Sequence, residues 1–167
     1  GGVVWGAAPV MCAWLRAQLP TDASVLAIGD GTGCCGLYAA SLASRVVITD
    51  GDDACVSLMR RNLERNRAHL TAASEVAKLV WGCDVSLLPA RRFDYIIGSD
   101  IVWGSDEEAQ QLLSRTLADL LRQDKERSES AARSDSDVGW PPPPRVVLAL
   151  EHGLPDPPPA SAPSGAA

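Results

Sequence analysis

The chain has 167 residues, 46% of them hydrophobic, a net charge of −6 and a pI near 4.8. That length and apolar content suit one domain with a buried core and exclude a wholly disordered chain. The acidic balance argues against bulk nucleic-acid binding, and no apolar run approaches the roughly 20 residues of a membrane span.

Residues 8–19, APVMCAWLRAQL, put Val10, Trp14 and Leu15 at helical spacing with Leu19 one turn on, and Pro20-Thr21-Asp22 ends the helix. SVLAIG, 24–29, is a short continuous apolar run, as expected of a parallel strand buried on both faces. CCGLYAASLA, 34–43, reads as a helix, and RVVIT, 45–49, as a second strand ending at Asp50. A helix over 53–67 carries Val56, Met59 and Leu63 on one face. VAKLVW, 76–81, is the third strand and FDYIIGS, 93–99, the fourth, with Asp100 just past its end. EEAQQLLSRTLADLLRQ, 107–123, is a strongly amphipathic helix with Leu113, Leu117, Leu120 and Leu121 as its stripe. RVVLAL, 145–150, is the fifth strand. Strands alternating with helices imply an α/β fold, a mostly parallel sheet with helices on both faces and right-handed crossovers.

Two segments fall outside this order. Residues 122–144 are charged and Ser-rich, then end in a proline run, and are expected to form a mobile loop. The tetraproline there reads as a spacer in preference to an SH3- or WW-type ligand. Nine of the twelve prolines lie at or beyond position 141, so the packed unit is expected in 1–121 and 145–152. The division is therefore a domain over 1–152, interrupted by the loop 122–144, and a disordered Pro/Ala-rich tail over 153–167. The chain begins GGVVW with no initiator Met and is expected to be a fragment.

The five cysteines, Cys12, Cys34, Cys35, Cys55 and Cys83, are odd in number and contain no C-x-x-C pair. They are expected to be reduced packing residues of an intracellular protein, cytoplasmic with the nucleus also open to it. His69 and His152 share no ligand spacing, and no metal is expected.

The stretch VLAIGDGTGCCGL, 25–37, carries the chemistry. Glycines between a strand and a helix let a ligand approach the backbone, and the helix start offers free N–H groups. Gly31-Thr-Gly33-Cys-Cys-Gly36 matches the dinucleotide pattern G-x-G-x-x-G, a weak signal alone. Gly29 already closes the strand, so the pattern is G-x-G-x-G-x-x-G, which suits a cofactor without a pyrophosphate. Asp50, 19 residues after Gly31, ends the second strand, where a carboxylate can accept both ribose hydroxyls of an adenosine. The bland alternative for Asp50 is a helix N-cap for GDDACV.

In order, VVWGAAPVMCAWL, VLAIGDGTGCCGL, VVITDGDD, KLVWG and FDYIIGSDIVW resemble the family-16 protein methyltransferases, which include calmodulin-lysine and related protein-lysine methyltransferases. The resemblance covers residues 3 to about 123 and the fifth strand. It implies a Rossmann-like methyltransferase fold, S-adenosylmethionine (SAM) as cofactor and a lysine-bearing protein as substrate. It places Trp5 over the cofactor, Gly29, Asp30 and Gly31 against its methionine part and ribose, and Asp50 on the ribose hydroxyls. Trp81 would flank the adenine, and Ser99 would border the transfer site through its backbone. Asp100 to Trp103 matches the family's D-x-x-Y motif at the lysine channel, with Asp100 orienting the ammonium or taking its proton and Trp103 holding the cation. Hydrophobic core is the competing reading for Trp5 and Trp81.

The chain departs from that family at three points. Ala27 stands where a Glu is usual, Trp103 replaces Tyr, and the strand pair that follows the fifth strand is not read in 153–167. These departures keep open a catalytically inactive interaction module, and they lead to the expectation that this chain binds cofactor but transfers methyl groups poorly or not at all. An NAD-dependent oxidoreductase fits Gly29 and DIVW less well. A nucleic-acid methyltransferase would rest on RRNLERNR, which a solvated helix face explains more simply.

Overall fold

The computed structural model describes residues 2–89, 92–102, 106–134 and 143–150. Five parallel strands form one sheet in the order β3-β2-β1-β4-β5, with β1 at Ser24–Ala27, β2 at Arg45–Asp50, β3 at Ala73–Lys78, β4 at Tyr95–Ser99 and β5 at Arg145–Ala149. The order reverses between β1 and β4, which opens a crevice at their carboxyl ends, where ligands of such sheets bind.

Alternation along the strands divides the interior into two layers. Val25, Ala27, Val46, Ile48, Tyr95 and Ile97 face one side. They are covered by α1 (Ala7–Gln18), α2 (Cys34–Ala40) and α3 (Asp53–Asn66), through Met11, Leu15, Cys35, Val56 and Met59. Leu26, Ile28, Val47 and Ile96 face the other side, under α4 (Glu107–Ser134) and the 3₁₀ turn at Val85–Leu87. Burial on both faces explains the unbroken apolar runs of the central strands. Asp52 caps α3 by accepting from the Cys55 amide at 2.9 Å.

Three expectations need correction. The third strand lies at 73–78, three residues before the apolar run suggested. Among the described residues it is an edge strand paired only with β2, from Arg45↔Ala73 to Asp50↔Lys78, so half-exposed residues suffice there and Leu79-Val80-Trp81 leave the ladder. The fourth helix continues through Ser134, inside the segment expected to be a loop; over 122–134 the helix formers Arg, Glu, Gln, Lys and Ala outnumber the three serines and there is no Gly or Pro, which permits helix. Cys83 is exposed, whereas Cys35 and Cys55 are buried. The tetraproline falls partly, and the tail 153–167 wholly, outside the described residues.

β5 pairs with β4 alone among the described residues. Its Val147 and Ala149 pack toward α1, but Val146 and Leu148 stay 38% and 37% exposed on the other face. An exposed apolar edge invites self-pairing. Val146→Lys is expected to reduce concentration-dependent light scattering while changing stability by no more than about 0.5 kcal/mol in urea.

Candidate functional site

The site is built where β1 gives way to α2. Ile28 still donates to the Ile97 carbonyl at 2.9 Å, and the chain then turns with Gly29, Gly31 and Gly33 at φ 60°, 55° and 82°. A Cβ at Gly29 would lie 2.8 Å from Ile101 Cγ2 and 3.3 Å from Trp81 Cζ2, so glycine is required on both counts.

Asp30 folds back into this turn. Its amide donates to the Thr49 carbonyl at 3.0 Å. Its Oδ1 accepts from the Cys35 amide at 3.2 Å and its Oδ2 from the Gly36 amide at 2.7 Å. A side chain at Gly36 would meet that oxygen and Ile48, at 2.7 and 2.8 Å. Burial pushes the Asp30 carboxyl up to about 7, against the pull of the Gly36 and Cys35 amides, and the nearby Asp50 charge adds to the rise. Two of the first three amides of α2 are thus already used. A pyrophosphate seated there would have to displace a buried carboxylate, which speaks for a cofactor without one.

Asp50 closes the other side. Its Oδ2 accepts from the Gly31 amide at 2.9 Å and its Oδ1 from the Asp52 amide at 3.0 Å. The cap of α3 belongs to Asp52, so the capping alternative for Asp50 is not what the fold uses.

Around this turn opens a cleft of about 770 Å³. Val3, Val4 and Trp5 form one wall and Leu79, Val80 and Trp81 another, with Ser99, Asp100 and Ile101 at the end of β4. Its charged lining is Asp30, Asp50, Asp52, Asp100 and Arg61. Trp5 is 39% exposed at the rim, so the core reading of this residue fails. Trp81 does both jobs: it lines the cleft and packs against the lower core. Gly29, Asp30, Gly31, Asp50, Ser99 and Asp100 all reach the same cleft. Trp103 lies outside the described residues.

Asp100 has a use that the sequence did not suggest. At φ 53°, its Oδ2 accepts from the Ala7 amide at 3.1 Å, the first residue of α1, whose own N-cap, Gly6, has no side chain to offer. The link spans 93 residues and leaves no local signal. Val80, 44% exposed, and Arg61 were also missed as lining; only the apolar strand-end position of Val80 hinted at it. Cys34 lines the cleft as well, but its contact with Cys12, and then burial, raise its thiol far above the usual range, which keeps it protonated and unreactive.

Residues 1–135 match the model of a family described as lysine methyltransferase. This chain belongs to that family. It is 36% identical over 121 residues to protein N-lysine methyltransferase METTL21A of Danio rerio, covering 71% of this chain and 54% of that protein. It is 31% identical over 116 residues to EEF1A lysine methyltransferase 3 of Xenopus tropicalis, covering 68% and 50%. The chain spans about half the length of the curated relatives it matches. Among solved structures it resembles TrmN from Thermus thermophilus, with a TM-score of 0.57 at 22% identity over 71% of this chain and 36% of that one. It also resembles the glycopeptide N-methyltransferase MtfA, with a TM-score of 0.53 at 16% identity over 67% and 47%. Those likenesses establish the Rossmann-like methyltransferase fold.

The raised Asp30 pKa has a consequence for this family member's stability. An unfolded Asp titrates near 3.8, so folding takes up a proton between that value and about 7. The stability this contributes is complete below pH 4 and lost as pH rises to about 7. Urea unfolding of the ligand-free chain should therefore show stability falling from pH 4 to pH 7 more steeply than in Asp30→Asn. Parallel profiles for the two proteins would show that Asp30 ionises normally.

Proposed function

We propose that the cleft holds SAM and that the protein transfers its methyl group to a lysine side chain of a protein substrate. The observation that carries this reading is the paired use of two carboxylates at the glycine turn: Asp30 fills the amides a pyrophosphate would need, and Asp50 stands ready at the end of β2. The residues present fit the cofactor. Asp50 takes the ribose hydroxyls from a carboxylate already aimed by the Gly31 and Asp52 amides. Gly29 to Gly31 admit the chain between ribose and amino acid, Trp81 and Val80 flank the adenine, and Trp5 closes the rim. The acidic lining suits a cation.

When bound, SAM supplies an activated methyl on a sulfonium. The protein's work is then alignment and desolvation. Asp100 and Trp103 receive the incoming lysine, with Asp100 orienting the ammonium or taking its proton before transfer. Asp100 also ties α1 to the end of β4 and so sets where the Trp5 wall stands. The domain of this reading is 1–152, with the tail 153–167 outside it, in a protein of the cytoplasm or nucleus.

Calorimetric titration with SAM and with NADH tests the cofactor; SAM binding with no NADH binding is expected, and the reverse order overturns it. Asp50→Ala should weaken SAM binding by about 1.5–3 kcal/mol, the scale of hydrogen bonds to a charged group. Asp52→Ala should instead cost the fold about 1 kcal/mol through loss of the α3 cap. Unchanged affinity in Asp50→Ala together with lost stability would return Asp50 to a structural role. Radiolabelled-methyl transfer to lysine-bearing proteins tests the reaction; label on another residue type would overturn the acceptor.

A further inference from the structure

The outer edge of β5 is open among the described residues, and its pattern is self-complementary. The Arg145 amide donates to the Asp94 carbonyl at 2.8 Å, and the Ala149 carbonyl accepts from the Asp100 amide at 2.9 Å. Backbone groups alternate sides along a strand, so positions 145, 147 and 149 spend theirs on β4. The N–H and C=O groups of Val146 and Leu148 therefore point outward, and Leu150 comes next in the same alternation, directly after β5. These three residues also carry the exposed apolar side chains of the edge, at 38%, 37% and 48% exposure. Donors, acceptors and apolar surface coincide on alternate residues. The sequence that follows, 151–167, holds five prolines, which have no N–H to donate, and one large apolar side chain, Leu154.

We propose that this edge pairs with the same edge of a second copy, antiparallel about a two-fold axis at Leu148, joining two five-stranded sheets into one. The backbone selects the register. Residues that exchange hydrogen bonds across an antiparallel pair lie directly opposite each other. Centred on Leu148, Val146 faces the partner's Leu150 and Leu148 faces the partner's Leu148, and every residue in these pairs has an N–H to give. Centred on Val147, Leu150 would face the partner's Pro144, which has none. The side chains favour the same register. It sets Val146, Leu148 and Leu150 of each copy against those of the other on one face. On the opposite face it sets Arg145 across from position 151, which is Glu151, at both ends of the ladder. Those positions do not exchange backbone bonds, so their side chains stand closer, and opposite charges there attract. A two-fold contact uses up both edges and closes at two copies, whereas an open edge goes on recruiting. The antiparallel arrangement points the two clefts in opposite directions.

Sedimentation equilibrium of the 167-residue chain across the micromolar range should show monomer and dimer with no larger species. Arg145→Glu and Glu151→Arg should each weaken the dimer about tenfold, because each places like charges opposite at both ends of the ladder. The double variant restores opposite charges and should dimerise as wild type does. Arg145 is exposed, so the melting temperature of Arg145→Glu, measured at dilutions where the chain is monomeric, should match that of wild type. A wild type that stays monomeric at every concentration overturns the proposal and leaves the edge to the chain's own tail or to a different protein. Association that continues past the dimer overturns it too. So do single variants that dimerise like wild type, or that the double exchange fails to rescue.

Discussion

The folding-back of Asp30 onto the start of α2 is the interaction on which the site depends. One residue joins three elements: its amide reaches the Thr49 carbonyl on β2, its carbonyl accepts from Gly33, and its carboxylate holds the Cys35 and Gly36 amides. The turn between β1 and α2 therefore has little freedom. Gly36 must lack a side chain to admit the carboxylate, and Gly33 must take a left-handed φ to bring the chain round. Asp50 is then fixed in aim by the Gly31 and Asp52 amides. The order is hierarchical: a carboxylate that no ligand needs to touch sets the place of one suited to touch it.

That arrangement also gives a physical account of an absence in the strand. The family to which the chain belongs resembles it in most of the glycine stretch, but Ala27 stands where Glu is usual. Ala27 is 1% exposed and packs with Val25, Val46 and Ile48 beneath α1 and α2. The acidic group in this turn is supplied three residues later, by Asp30. An acidic group near the crevice is retained while the strand interior becomes wholly apolar.

Much of this was legible in the sequence. The central strands show as apolar runs because both faces are buried, and the glycine stretch is confined to one turn by its own spacing. What was not legible followed from distant partners. β3 was displaced by three residues because an edge strand answers to its register with β2, not to its own hydrophobicity. The end of α4 was misplaced because charged helix formers and charged loop residues look alike in composition. The cap on α3 fell to Asp52 and not to Asp50, a choice between acids two positions apart that the hydrogen bonds of the turn decide. Thr116, buried in α4, accepts from the Gly82 amide and donates to the Leu112 carbonyl, and nothing local to either segment announces that pairing.

The bond from the Ala7 amide to Asp100 joins positions 93 apart. In a chain made from its amino end, residues 2–6 and the first turn of α1 emerge early, but their anchor appears only after four strands have been synthesised. Closing so long a loop costs entropy that is recovered only when β4 has docked beside β1. The Trp5 wall is then settled late although it is made before β4. During synthesis the crevice has a floor before it has that side.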